Sequence, residues 1–156
     1  MNIGDMYQRP GFLLRRANQI SSAIFENACA DLGLTQAQYG VLMILANEPG
    51  LDQTRLAHAI GFDKVTTLRV LRGLEERGLV LRNASATSRK HLALVLTDEG
   101  LQLLRRAKRT TQAAYERLMA PLNETQRKQL TSLLALLTRS LEHEARAAWR
   151  PLPTGM

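Results

Sequence analysis

The chain has 156 residues, enough for one domain, and its 45% hydrophobic content can build a core although aromatics are only 4%. A formal charge of +7 favours a polyanionic partner, nucleic acid ahead of a membrane surface. No run approaches the roughly 18 apolar residues of a membrane-crossing helix, no signal-peptide pattern opens the chain, and a lone cysteine, Cys29, excludes an internal disulfide; the expected location is a reducing cytoplasm.

Residues 1–11 read as a loose arm ending at Pro10-Gly11. From Phe12 to about Asp31 the spacing is helical, with Leu13, Ala17, Ile20, Ile24 and Ala28 on one face. Arg16 flanks that face, and Arg15 points more nearly away from it. Leu32-Gly33-Leu34 breaks the helix. Thr35 with Gln38 forms a capping-box pattern that opens a second helix; Tyr39, Leu42, Leu45 and Ala46 are expected inward, with an end near Asn47. Glu48-Pro49-Gly50 is a turn. Asp52 caps a short helix over 53–60 that Gly61 closes. Only Phe62 separates Gly61 from Asp63, the cap of the next helix, and two short helices joined so tightly have the spacing of a helix-turn-helix.

The helix that follows Asp63 runs to about Arg77, with Gly78 as its stop. Thr67, Val70, Leu71 and Leu74 recur at core spacing. Thr66, Arg69 and Arg72 fall on the other side, with Lys64 in the first turn. A basic, hydroxyl-rich outer face suits a DNA major groove, and a merely solvated basic face is the plainer reading. Candidate DNA contacts here are Lys64, Thr66, Thr67, Arg69 and Arg72, of which Thr67 also belongs to the core-facing set. Two extended runs, 79–82 and 91–96, flank a small polar tip ending in Arg89-Lys90 and predict a β-hairpin wing, with Arg82 a candidate phosphate contact.

Thr97 caps a long helix through about Met119, with Leu101, Leu104, Ala107, Ala114 and Leu118 on one stripe. Pro121 interrupts. Asn123 with Gln126 opens a last helix carrying Leu130, Leu133, Leu134, Leu137 and Leu141. The apolar stripes on 12–31, 98–119 and 124–145 exceed what a winged domain of this size can cover, which predicts a homodimer. Trp149 and the Pro-Leu-Pro tail are expected to pack across that dimer.

From Leu34 to Gly100 the chain resembles MarR-type winged helix-turn-helix regulators. The resemblance rests on Gln53-Thr-Arg-Leu-Ala, Gly61-Phe-Asp-Lys, Leu74-Glu-Glu-Arg-Gly-Leu-Val and Leu96-Thr-Asp-Glu-Gly, and the flanking helices fit as well. It implies a mainly α (α+β) fold in a single domain over 1–156. Within it, 12–33 and 98–148 would be dimerisation helices and 34–97 the DNA-binding lobe. It further implies a homodimer on pseudo-palindromic double-stranded DNA, usually a repressor, often released by a small aromatic acid, with no cofactor.

Two departures stand out. Where the family's wing has Asp-x-Arg, this chain has Ser88-Arg89-Lys90, so Arg89, beside Lys90, is expected to take over as the minor-groove reader. Gly73 stands where a basic residue is common, at a cost of about 1 kcal/mol relative to alanine. The opening from Arg9 to Arg16, with Gln38-Tyr39-Gly40, resembles the members that control aromatic-acid breakdown. An arginine beside an apolar face can fork onto a carboxylate while tyrosine and methionine form walls. The candidate ligand residues are therefore Arg15, Arg16, Tyr39 and Met43, with Arg16 preferred on helical phase. The competing reading has Arg16 solvated, or bridging subunits through Glu26 or Asp31.

Cys29 admits a redox role or a buried structural one, and no basic neighbour in sequence stabilises a thiolate. His58, His91 and His143 show no metal-ligand spacing, and no phosphate loop, nucleophile elbow or carboxylate pair appears, so an enzyme is not expected. Two alternatives remain: the same fold switched by Cys29 oxidation, and an architectural DNA binder without an effector.

Overall fold

The computed structural model describes residues 2–85 and 89–153. A short helix α1 (Ile3–Tyr7) replaces the loose arm expected at the N-terminus. Its signal is local: Asn2 and Asp5 cap each other reciprocally, and the Tyr7 ring meets Phe12 at 5.2 Å. Then come α2 (Pro10–Ala28), a 3-10 turn (Ala30–Leu32), α3 (Gln36–Asn47), α4 (Gln53–Ile60) and α5 (Lys64–Glu76). A hairpin of β1 (Val80–Ala84) and β2 (Leu92–Leu96) leads into α6 (Asp98–Met119) and α7 (Glu124–Ser140). Among the described residues no helix is long and apolar enough to cross a membrane.

Every cap that the residue pattern anticipated is formed. Thr35–Gln38 and Asn123–Gln126 are capping boxes, and Asp52, Asp63 and Thr97 each accept a backbone N–H three residues on. Gly61 and Gly78 take left-handed backbone, φ 77° and 67°, which a residue with a Cβ would adopt only under strain.

One core joins α3, α4, α5 and the hairpin to α2 and α6: Val41, Leu42 and Leu45 of α3, Leu56 of α4, Leu71 and Leu74 of α5, and Val80 and Leu94 of the hairpin are fully or almost fully buried. Each large side chain so buried contributes about 1.5–3 kcal/mol. Ala46, expected inward, is exposed, and Val41 takes that place because the buried face of α3 lies one residue earlier in phase. A similar shift puts Leu103 inside α6's stripe while Leu101 and Leu104 are half-buried.

The hairpin is antiparallel, Val80 opposite Leu96 and Ala84 opposite Leu92. Leu51 adds a short third rung: its carbonyl accepts Leu94 N at 2.8 Å, while Gly50 N donates to Leu94 O at 2.9 Å. α2 packs along α6, and Arg127 of α7 bridges Glu116 of α6 at 3.0 Å. No residue of α7 is buried; Leu133 and Leu136 are 61% and 63% exposed. Between α2, the end of α6 and α7 lies an apolar groove of about 710 Å³, lined by Leu13, Leu14, Leu118, Leu130, Leu134 and Leu137 among others.

Candidate nucleic-acid interface and effector residues

The geometry of α5 is set by the tight turn before it and the cap that opens it. Asp63 accepts from Thr66 N at 2.7 Å and from the Thr66 hydroxyl at 3.1 Å. These bonds hold the Asp63 carboxyl below the usual carboxylate range. Val70, Leu71 and Leu74 anchor the inner face; Lys64, Val65, Arg69 and Arg72 are exposed on the outer one. Val65, Leu68, Arg69, Arg72, Gly73 and Glu76 line a shallow hollow on this outer face. Val65 carries no charge to mark it in the sequence, although its position between Lys64 and Thr66 places an apolar group on the exposed face of α5.

Thr67 corrects the expectation of a DNA contact. It is 0% exposed, and its hydroxyl donates to Asp63 O at 2.8 Å, closing the first turn from the inside. Arg82, expected on a phosphate, has its guanidinium engaged within the chain: Nε donates to Glu75 and Nη1 to Gln53 Oε1 at 3.0 Å. It ties the wing to α5 and to the start of α4. Arg89 and Lys90 are exposed at the start of the returning wing segment. Ser88, one of the three residues that depart from the family's wing pattern, lies with Ala86 and Thr87 outside the described residues.

Arg77, which carried no expectation, donates to Gly33 O at 2.7 Å and Leu32 O at 2.9 Å. It closes two carbonyls at the break between α2 and α3 and so ties the end of α5 to that break.

The effector candidates are less closely gathered. Arg16 Nη1 donates to Gln19 at 2.8 Å, and Arg15 lies over the Phe12 ring at 5.0 Å. Tyr39 packs on Phe25 at 5.6 Å with its hydroxyl 3.4 Å from Thr111 Oγ1, and Met43 is 39% exposed. Arg16 stands about 13 Å along α2 from Phe25. Among the described residues no hydrogen bond, ion pair or ring contact joins either arginine to Tyr39 or Met43. Cys29 is 0% exposed inside the core, and burial pushes its thiol up, away from the reactive thiolate.

A capped basic helix presented by a helix-turn-helix, followed by a hairpin wing, defines a winged-helix DNA-binding protein. Residues 34–92 match the MarR family. Over 137 residues the chain is 34% identical to the putative transcriptional regulatory protein for the hcr operon of Thauera aromatica, covering 87% of this chain and 82% of that one. Among solved structures, the repressor CouR bound to a 23-mer DNA duplex superposes with a TM-score of 0.81 at 34% identity, covering 89% of this chain and 99% of CouR. The PcaV regulator of Streptomyces coelicolor in complex with its natural ligand gives 0.82 at 30% identity, covering 91% and 100%. The chain belongs to the MarR family: it is a DNA-binding transcriptional regulator, not an enzyme.

Proposed function

We propose that this protein is a homodimeric repressor that binds a pseudo-palindromic operator and is released from it by a small aromatic carboxylate. The observation that carries the DNA half is the outer face of α5, where Lys64, Arg69 and Arg72 stand exposed around Val65 on a helix whose opposite face is buried. In this reading 34–97 is the DNA-binding lobe, with Arg69, Arg72 and Thr66 at or near base edges and Lys64 on a phosphate. Arg89, with Lys90, enters the minor groove. The segments 12–33 and 98–148, apart from the residues from Ala145 on that lie against α4, form the dimer scaffold, and the occupant of the apolar groove beside α7 is a second copy. Leucines from three helices line that groove, and within one protomer α7 has no buried residue.

The effector half is supported by relatives whose ligands or operons concern aromatic compounds, among them the homoprotocatechuate degradative operon repressor of Escherichia coli and a Mycobacterium tuberculosis MarR family protein in complex with salicylic acid. Arg16 now donates to a neutral amide, and a carboxylate would make a stronger, charge-assisted bond in its place. Tyr39 and Met43 lie toward the DNA-binding lobe, so an extended Arg16 and the acid together must span the gap to α3, coupling scaffold to lobe. A ligand that prefers a mismatched separation of the two recognition helices by about 2–3 kcal/mol weakens DNA binding about a hundredfold. The thiol-switch alternative has little support in a fully buried Cys29.

The test is titration of the purified protein onto labelled DNA from its own upstream region, with and without benzoate and hydroxybenzoates. Sedimentation is run at the same concentration. A dimer that binds with sequence preference and is displaced by an acid, but not by the corresponding amide, is expected. Binding without sequence preference would favour an architectural role. A response retained in Arg16→Ala moves the anion site, with Arg15 next to test.

A further inference from the structure

The chain beyond α7 does not trail away. After a 3-10 turn (Glu142–Glu144) it returns to the helix-turn-helix and is fastened there at several points. Trp149 Nε1 donates to Ala59 O at 3.2 Å, and Arg150 N donates to His58 O at 2.8 Å. Both carbonyls belong to the last turn of α4, whose acceptors have no partner within the helix. The indole lies against Gly61, where a Cβ would meet it at 3.4 Å, so the left-handed turn that aims α5 is also the strap's seat. Glu142 Oε1 accepts Trp149 N at 2.8 Å, and Leu152 packs on the core. The expectation that this tail packs across the dimer is thereby corrected: it packs on α4 of its own chain.

This fastening has a consequence for charge. The segment forms one wall of a cleft of about 490 Å³ whose other walls include Gln53, Thr54 and His58 of α4 and Asp63 and Lys64 at the start of α5. Arg146 is the charged residue the strap contributes to it. Among the described residues Asp63 is the one carboxylate lining the cleft, and both its oxygens accept from Thr66. Arg146 and Lys64 therefore line the same cleft, at the start of α5. A phosphodiester, an anion with several acceptor oxygens, is the group that two such cations and the Thr54 hydroxyl can share.

We propose that the segment 145–152 is a strap that forms part of the DNA-binding surface, with Trp149 and Arg150 pinning it to α4 so that Arg146 meets a backbone phosphate beside Lys64. This rests on the DNA-binding reading of α5. Arg146 then positions the lobe on the duplex without reading sequence. Because the strap is continuous with α7, it also makes the placement of a DNA contact depend on the scaffold helix.

The experiment uses the full-length chain and a duplex selected by this protein from a random-sequence library, with affinity measured over a fourfold range of salt. Arg146→Ala is expected to weaken selected and random duplexes by the same factor. Removing one phosphate neutralisation also makes the salt slope shallower by about 0.9, or nearly two units if both protomers of a dimer are affected. Arg146→Lys should restore the slope. Trp149→Phe, which keeps a ring but removes the donor to Ala59, should give part of the Arg146→Ala loss and add little to it in the double variant. Arg150→Ala should change nothing, since its contact is made by the main chain. Lys64→Ala separates the two readings: a shallower slope in Lys64→Ala with an unchanged slope in Arg146→Ala overturns the strap and leaves the DNA face standing. Wild-type protein that selects no duplex overturns both. Fully additive losses from Arg146→Ala and Trp149→Phe also overturn the strap, because the anchor would then not act through Arg146.

Discussion

Arg82 on the wing donates through Nε to the carboxylate of Glu75 on α5, and both side chains are about three-quarters covered. The hairpin is already held by α5 and α6 at its two ends and by the Leu51–Leu94 bonds; this pair, with Gln53 also accepting from the guanidinium, adds a direct side-chain tie from the wing to α5 and α4. Arg82→Ala leaves Glu75 without its partner. The expected cost is about 1 kcal/mol, discounted for partial exposure. DNA affinity falls through misplacement of the wing, with the salt slope unchanged. A shallower slope in that variant would restore Arg82 to the phosphate contacts. A double-mutant cycle with Glu75→Gln should give a coupling of about 0.5–1 kcal/mol in thermal unfolding.

Arg69→Ala should lose discrimination between operator and random duplex, since a good base-edge contact carries about 1–3 kcal/mol of specificity. Lys64→Ala should weaken both alike and flatten the salt dependence. Equal factors on both DNAs for Arg69→Ala would exclude it as a base reader.

Two glycines in helices should respond in opposite directions. A Cβ on Gly73 meets only the end of the Gln38 side chain, at 3.4 Å, which is ordinary contact. Gly73→Ala should raise stability by about 0.5–1 kcal/mol in chemical denaturation, the helix-propensity gain. A Cβ on Gly100 would run into the backbone carbonyl of Leu79, which also accepts Thr97 N at 3.1 Å. Gly100→Ala must push the start of α6 off the wing, and a stable, cooperatively folded variant would contradict that geometry.

The cap of α5 gives a pH dependence. Asp63 is held below its usual value because its ionised form accepts from the Thr66 N–H and hydroxyl. A lowered carboxylate contributes stability that is fully present above the unfolded value, about 3.9, and is lost as pH falls through the folded one. The stability gap between wild type and Asp63→Ala should therefore be constant near neutrality and close only in acid, below about pH 4. A gap that closed between neutrality and mild acid would mean another group sets it.

Cys29 should behave as a core residue. In native protein a thiol reagent should label it only as fast as the protein opens, and peroxide should leave DNA affinity unchanged. Cys29→Ser, which places a hydroxyl among Phe25, Leu34 and their neighbours, should cost about 1–3 kcal/mol. Rapid labelling in native buffer would return the thiol switch to consideration.

Much of this architecture was legible because its causes are local. A cap and the N–H it serves are three residues apart, and a helix's inner face repeats within seven, so Thr35–Gln38, Asp63–Thr66 and the stripe Val70-Leu71-Leu74 announce themselves in the residues alone. The same locality explains Thr67: its phase put it in the core, and the hydroxyl that suggested a DNA contact is used up by the turn below it. Other contacts were decided by tertiary structure. Arg82 and Arg77 look like any basic surface residues until the wing meets α5 and the end of α5 meets the break after α2. Arg16 and Tyr39 shared a plausible chemistry, but Tyr39 packs on Phe25, and helical rise sets Arg16 about 13 Å along α2 from that ring. Trp149 and Ala59 are ninety positions apart, and no periodicity links an indole in a tail to an unpaired carbonyl at a helix end. That contact exists only because α6 and α7 carry the chain back to the helix-turn-helix, where the last acceptors of α4 were still in need of a donor.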